Sequence, residues 1–199
     1  MPAEPPTPSA RKAELLEAAY RYALEHGLAH LSLRPLAAAI GSSPRVLIFL
    51  FGDKDGLVRS VLAKARAEEL ALLDHFEEPT DRPVIGLTAA VERLWGWLAA
   101  TEHRQLLRLW AETYTTSLME PDDVRSGFAA TTVHDWLTIL AACQPADERD
   151  TADGTARRTL ALAVLRGALL DLLATAEHDR ISAAVRHYLL LESRRSGDR

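Results

Sequence analysis

Ser32-Leu33-Arg34-Pro35-Leu36-Ala37-Ala38-Ala39-Ile40-Gly41-Ser42-Ser43-Pro44-Arg45-Val46-Leu47-Ile48-Phe49-Leu50-Phe51-Gly52-Asp53-Lys54-Asp55-Gly56-Leu57 packs two short helices, a glycine turn and the start of a third helix into one run. Ser32 is placed to cap a helix that carries Leu33, Leu36, Ala37 and Ile40 inward, and Pro35 falls in its first turn, where amides lack intrahelical partners. Gly41 ends that helix, since a glycine takes the left-handed backbone of a helix terminus without steric cost. Ser43-Pro44 then supplies an N-cap followed by proline at the first helical position. The second helix, Pro44 to Phe51, is about two turns long. Asp53 caps the next, with Lys54 in its first turn and Leu57, Val58, Val61 and Leu62 as its apolar stripe. A short helix bracketed this tightly is a rigid rod, which is what reading a major groove requires.

Upstream, Leu15, Leu16, Ala19, Tyr22 and Ala23 recur at helical spacing over residues 9–26, and Gly27 ends that segment. Over about the first 65 residues the chain resembles the TetR (tetracycline-repressor-like) family of one-component transcriptional regulators. The resemblance is carried by the opening helix, by Leu31-Ser32-Leu33-Arg34-Pro35-Leu36-Ala37, and by the stretch from Gly41 to Leu57 that ends Phe51-Gly52-Asp53-Lys54-Asp55-Gly56-Leu57. It implies an all-α fold: an N-terminal three-helix helix-turn-helix domain joined by a connecting helix to a helical ligand-binding and dimerisation domain. Residues 1–8 are expected as a flexible arm, 9–53 as the DNA-binding domain and 54–199 as the second domain. The DNA-binding set is Ser32, Arg34, Ser42, Ser43, Pro44, Arg45, Val46, Phe49 and Lys54.

One departure is informative. Family members usually carry an aromatic with a hydroxyl, then often a tyrosine or histidine pair, on the second helix, where it grips phosphate. Here Ile48-Phe49-Leu50 stands instead, and none of these donates a hydrogen bond. Phosphate contacts set register and affinity, whereas base edges set sequence preference, so this predicts weak or unusual operator binding on an intact fold. Phe49 remains able to touch thymine methyls and Arg45 to read guanine or hold phosphate. The plain alternative for Arg45 is a solvated residue near a helix N-terminus.

Net charge is −5, but it is unevenly spread. Residues 1–66 hold 9 Lys+Arg and 6 Asp+Glu, which is +3, leaving 14 and 22, or −8, for the rest. The basic end is the reader end, although chance variation along a surface gives a similar asymmetry. Cys143 is the single cysteine, which excludes an intramolecular disulfide and a multi-cysteine metal site. With no basic-then-apolar leader and no apolar run of spanning length, a cytoplasmic location and no membrane partner are expected.

Beyond residue 66 the pattern is helical, divided by turn signals at Pro79 to Pro83, Glu120-Pro121-Asp122 and Pro145 to Gly154. Val84, Leu87, Thr88, Val91, Leu94, Trp95 and Leu98 share one face, with Trp97 nearly opposite. On residues 103–119 the inward set is Leu106, Leu107, Leu109, Trp110, Thr113, Tyr114 and Leu118, with Arg108 and Glu112 expected as an outer i,i+4 pair. Residues 122–143 place Phe128, Ala129, Thr132, Val133, Trp136, Ile139, Leu140 and Cys143 on a stripe. Aromatic stripes of this kind are usually core. The resemblance to a family that encloses an inducer between such helices makes Trp95, Trp110, Tyr114, Phe128, Thr132 and Trp136 the ligand-binding candidates. Glu92 flanks its stripe and suits a cationic ligand; the plain alternative is a solvated or paired carboxylate.

The segment Thr159 to Ala174 is apolar nearly all round, so one face meets the core and another needs a partner. Leu160, Val164, Gly167 and Ala168, with Val185, Tyr188 and Leu189 on the last helix, make a candidate four-helix dimer interface; a buried central helix in a monomer is the competing reading. The expected function is a homodimeric regulator, a repressor released from an operator by a small apolar or amphipathic inducer. The alternative is a helical dimeric small-molecule-binding or adaptor protein that has lost specific operator binding. No enzymatic role and no cofactor are expected: of the seven histidines only His26 and His30 stand at His-x-x-x-His spacing, with the helix-ending Gly27 between them, and neither a Gly-x-Ser-x-Gly elbow nor a phosphate-cradling glycine loop is present.

Overall fold

The computed structural model describes residues 8–73, 85–120 and 122–197. Among these the chain forms ten α-helices and no strand. The chain is all-α, as the sequence indicates. Of the expected arm, residues 1–7 lie outside the described residues and Pro8 opens a helix; the breaker run Pro79 to Pro83, Val84 and Pro121 also lie outside them. Two compact units emerge, one of residues 1–70 and 108–129, the other of 71–107 and 130–199. The unit that contains the reader segment therefore extends past residue 53 and takes in a second stretch of chain.

The first unit contains α1 (Pro8–His26), α2 (Leu33–Ala39), α3 (Pro44–Phe51) and most of α4 (Lys54–Leu73). Its core gathers Leu15, Ala19, Tyr20 and Ala23 from α1, Leu36 and Ala37 from α2, Leu47 and Phe51 from α3, and Leu57, Val58 and Val61 from α4. Leu109, from the later stretch, closes it. α2 ends in a Schellman arrangement: Ser42 N–H donates to Ala37 O at 2.8 Å and Gly41 N–H to Ala38 O at 3.4 Å. Gly41 has φ +63°, the left-handed geometry that this pairing requires. Ser43 then caps α3, its Oγ accepting from Val46 N–H at 3.3 Å ahead of Pro44. The axes of α2 and α3 turn through 103°, within the range of a helix-turn-helix. Asp53 Oδ1 accepts from Gly56 N–H at 2.6 Å to start α4. A Cβ at Gly56 would stand 2.1 Å from Phe51 O, so only glycine lets α4 leave α3 this closely.

The expected side-chain cap at Ser32 is absent. Its backbone carbonyl accepts Leu36 N–H instead, and the hydroxyl is left facing solvent. The expected Arg108–Glu112 pair also gives way to another contact: Glu112 accepts Leu28 N–H with both oxygens, at 2.9 and 3.1 Å. A backbone N–H left over where α1 ends outcompetes a solvated arginine for a half-buried carboxylate.

The second unit is built on α5 (Leu87–Ala99), α9 (Ala152–Thr175) and α10 (His178–Gly197), which pack on one another. It also holds a 3₁₀ turn at Thr101–His103, the first residues of α6 (Arg104–Met119), α7 (Phe128–Ala142) from Ala130 onward, and α8 (Ala146–Arg149). α8 lies within the stretch expected as a turn. Leu94, Leu165, Ile181 and Val185 are fully enclosed in its core. Buried Gln144 holds the α8 region to the start of α9: its Nε2 donates to Gly154 O at 3.0 Å and its Oε1 accepts from Arg158 at 3.1 Å. Arg157, on α9, donates to Glu192 of α10 at 3.0 Å and to Glu148 of α8 at 2.9 Å.

Candidate nucleic-acid interface

α3 has one face in the core and the opposite face in water. Leu47 and Phe51 are buried, and at about 100° per residue the position diametrically opposite their midpoint is Phe49. Phe49 is 81% exposed, the most exposed large apolar side chain among the described residues. Arg45 lies beside it one turn earlier and is exposed, as are Val46 and Ile48 at 37% and 47%. Leu50, the third member of the anomalous triplet, packs on the core and leaves the outer face to the other two.

Around this crown, Ser32 and Arg34 from α2 and Ser43 and Lys54 at the two ends of α3 are exposed. Pro44 is half-buried as the first residue of α3. Ser42 is half-buried and its Oγ is enclosed without a hydrogen-bond partner among the described residues. Of the nine DNA-binding candidates, then, seven present themselves to solvent from one helix-turn-helix and two are partly withdrawn. The charge of Lys54 reaches Asp123, whose carboxyl is held down to about 2 by its bonds with Arg125. Tyr20, Lys64, Glu17 and Glu68 brace α1 against α4 from behind. Tyr20 donates to Glu68 at 2.6 Å, while Lys64 pairs with Glu17 at 2.8 Å and Glu68 at 3.0 Å. Burial and the Glu68 bond push the Tyr20 phenol well above its usual value, so this brace stays protonated.

The six ligand candidates divide between the units. Trp110, Tyr114 and Phe128 fall in the first, where the Trp110 and Tyr114 rings tilt together at 4.9 Å. Trp95, Thr132 and Trp136 fall in the second, and all three are buried there. Trp95 already uses its indole N–H, which donates to buried Ser182 of α10 at 3.0 Å. Trp97, expected on the opposite face, is half-buried and stacks on His103 at 4.3 Å. Leu118, expected inward, is 63% exposed at the end of α6 beside exposed Met119. Helical phase alone put it inside, but the helix outruns its packing partners there. Glu92 is exposed.

The dimer candidates also separate by depth. On α9, Leu160 is 47% exposed, Gly167 is exposed, and Val164 and Ala168 are half-buried. On α10, Val185 belongs to its own unit's core, and Tyr188 and Leu189 are half-buried, with the Tyr188 hydroxyl enclosed. Burial pushes the Tyr188 phenol up to about 12. The outer apolar residues missed by the sequence reading are Leu170, Leu190 and Leu191. Their signal was present, since Leu160, Gly167 and Leu170 stand seven and then three residues apart, on one helical face, and Leu190 and Leu191 end an unbroken apolar run.

The family described as bacterial regulatory proteins, tetR family, matches this chain over residues 15–61. No curated protein matches it. Solved structures similar to the chain include a TetR transcription regulator from Haloarcula marismortui, 19% identical, covering 90% of this chain and 94% of that one with a TM-score of 0.71. A transcriptional regulator from Rhodococcus sp. Rha1 is 19% identical, with coverages of 90% and 94% and a TM-score of 0.69. The multidrug binding protein EbrR complexed with imidazole is 22% identical, with coverages of 89% and 88% and a TM-score of 0.63. At these identities the likeness establishes the fold. Among the described residues no single helix is long and apolar enough to cross a membrane.

Proposed function

We infer that this chain, which carries the N-terminal domain of the tetR family of bacterial regulatory proteins on the all-helical fold of solved TetR-type regulators, is a DNA-binding transcriptional regulator. In this reading it acts in the cytoplasm as a homodimer and represses an operator until a small apolar or amphipathic inducer binds. The observation that carries the reading is the geometry of α3: a two-turn helix anchored by Leu47 and Phe51, capped by Ser43, and offering Arg45 and Phe49 outward.

Dimerisation is supported by the outer surfaces of α9 and α10, where Leu160, Leu170, Leu190 and Leu191 are each about half exposed. Two such helices from each of two subunits make a four-helix interface. The symmetry then presents two reader helices to half-sites about 34 Å apart or a multiple of it. Ligand response is supported by the aromatic content of the second unit, with Thr132 and Trp136 one turn apart on α7 as the proposed contacts. EbrR, the multidrug binding protein, has also been solved with proflavin. That makes flat aromatic cations the first compounds to try. α6 offers a covalent route for the response, since Arg104 to Leu107 belong to the second unit while Glu112, farther along the same helix, holds Leu28 N–H in the first. A ligand that prefers one position of α6 shifts the population of reader states.

The test is selection from random duplexes, followed by fluorescence anisotropy at several salt concentrations. Saturable, sequence-selective binding with a negative log–log salt slope is expected. A compound that raises the melting temperature should then weaken operator binding about 5- to 150-fold. Failure to select any sequence would leave the adaptor reading, which the donor-free Ile48 and Phe49 favour. Selective binding that no stabilising compound alters would remove inducer control alone.

A further inference from the structure

We propose that α3 reads the 5-methyl group of a pyrimidine in the major groove, with Phe49 as the side chain that sets this specificity, so that the protein distinguishes methylated from unmethylated pyrimidine. The inference rests on the DNA-reading function above.

Phe49 occupies the crown of α3, opposite Leu47 and Phe51, and is 81% exposed, with Ile48 and Val46 on its flanks. A helix that enters a groove leads with its crown. Most major-groove base edges are donors or acceptors, and a phenyl ring pressed against them strips their water without replacing the hydrogen bonds. The 5-methyl of thymine is the apolar group on that surface, and 5-methylcytosine places the same methyl at the same carbon. A phenyl crown therefore gains by meeting a methyl and loses by meeting a bare polar edge, so the discrimination is two-sided.

The occupant argued for is a polyanion rather than a protein or a bilayer, because three exposed cations on this helix-turn-helix outnumber the exposed acids Asp53 and Asp55 beside them. Arg45 is exposed one turn before Phe49 on the same helix, Arg34 is exposed on α2, and Lys54 is exposed just past the end of α3. Three apolar side chains on two turns are also far short of the roughly 800 Å² per partner of a stable protein interface.

The experiment starts from the duplex chosen by random selection and measures binding by anisotropy. Thymines are replaced one at a time by deoxyuridine, which removes only the methyl. At one position per half-site this is expected to weaken binding about fourfold, and about fifteenfold when both half-sites are changed. With cytosine at the same position, 5-methylation is expected to restore a similar factor. Phe49→Ala, at a solvent-facing position, is expected to keep the circular dichroism spectrum and salt slope while binding thymine and deoxyuridine duplexes equally. Selective wild-type binding that is indifferent to every deoxyuridine overturns the methyl reading and leaves the regulator intact. Absence of any selective binding overturns the regulator, and the methyl reading with it. Phe49-dependent self-association, or binding to anionic phospholipid vesicles without methyl discrimination, also overturns it, in favour of a protein or lipid occupant.

Discussion

Asp123 and Arg125 stand two residues apart in the turn before α7, joined by Arg125 Nε to Oδ1 at 2.5 Å and Nη2 to Oδ2 at 2.8 Å. This fork holds the Asp123 carboxyl down to about 2, against 3.8 for an unperturbed aspartate. The folded chain therefore keeps the carboxylate charged in an interval where the unfolded chain takes up a proton. Its stabilising contribution is complete above about pH 4 and is lost as pH falls toward about 2. Urea titrations of wild type and Asp123→Asn are expected to show a less stable variant near neutrality and a gap that narrows from about pH 4 to about pH 2. A gap that is constant over that interval would mean that the fork adds nothing. Arg157 raises a different issue, because it is buried with Glu192. Arg157→Ala removes the bonds to both Glu192 and Glu148, and is expected to lower stability in chemical denaturation by more than the same change at an exposed arginine such as Arg108. Neither contact was legible in the sequence. Arg157 and Glu192 are 35 residues apart, and Glu112 meets Leu28 N–H across 84, so local pattern carries no trace of either.

At the scale of the element, α3 is where the sequence is most legible, since Ser43, Pro44 and Gly41 act within one turn of their own positions. Capping chemistry of that range survives whatever the rest of the chain does. The Leu50 and Leu118 positions were less legible because burial depends on which neighbours pass over a face, and helical phase does not report that. The proposed dimer face is half-legible for the same reason: residues 159–174 of α9 are apolar nearly all round, and only packing decides that Leu165 is core while Leu160 and Leu170 are outside. The two faces of α3 are expected to separate stability from recognition. Leu47, 1% exposed, should cost about 2–5 kcal/mol when changed to alanine, lowering the midpoint of thermal unfolding. Phe49→Ala should leave that midpoint within the scatter of surface substitutions, about 0.5 kcal/mol. Equal destabilisation by both would mean that Phe49 is a packing residue.

For the molecule as a whole, the proposed DNA reading puts the favourable charge at the reader end, +3 over residues 1–66 against −8 over the remainder. A single two-turn helix makes few phosphate contacts, and doubling it by symmetry roughly doubles the counterions released, hence the steepness of the salt dependence. That links the apolar outer face of α9 and α10 to operator affinity. Leu170→Asp combined with Leu190→Glu introduces like charges on both helices of the proposed interface, at positions about half exposed, so the subunit's own core is left alone. Sedimentation is expected to give the mass of one subunit with an unchanged helical spectrum. The log–log salt slope on the selected duplex should fall by roughly half, because one reader helix remains per complex. If the doubly charged variant keeps the mass of a dimer, the interface lies elsewhere on the subunit. If it is monomeric yet binds with the full slope, each reader works alone and the two-fold arrangement is not what confers affinity.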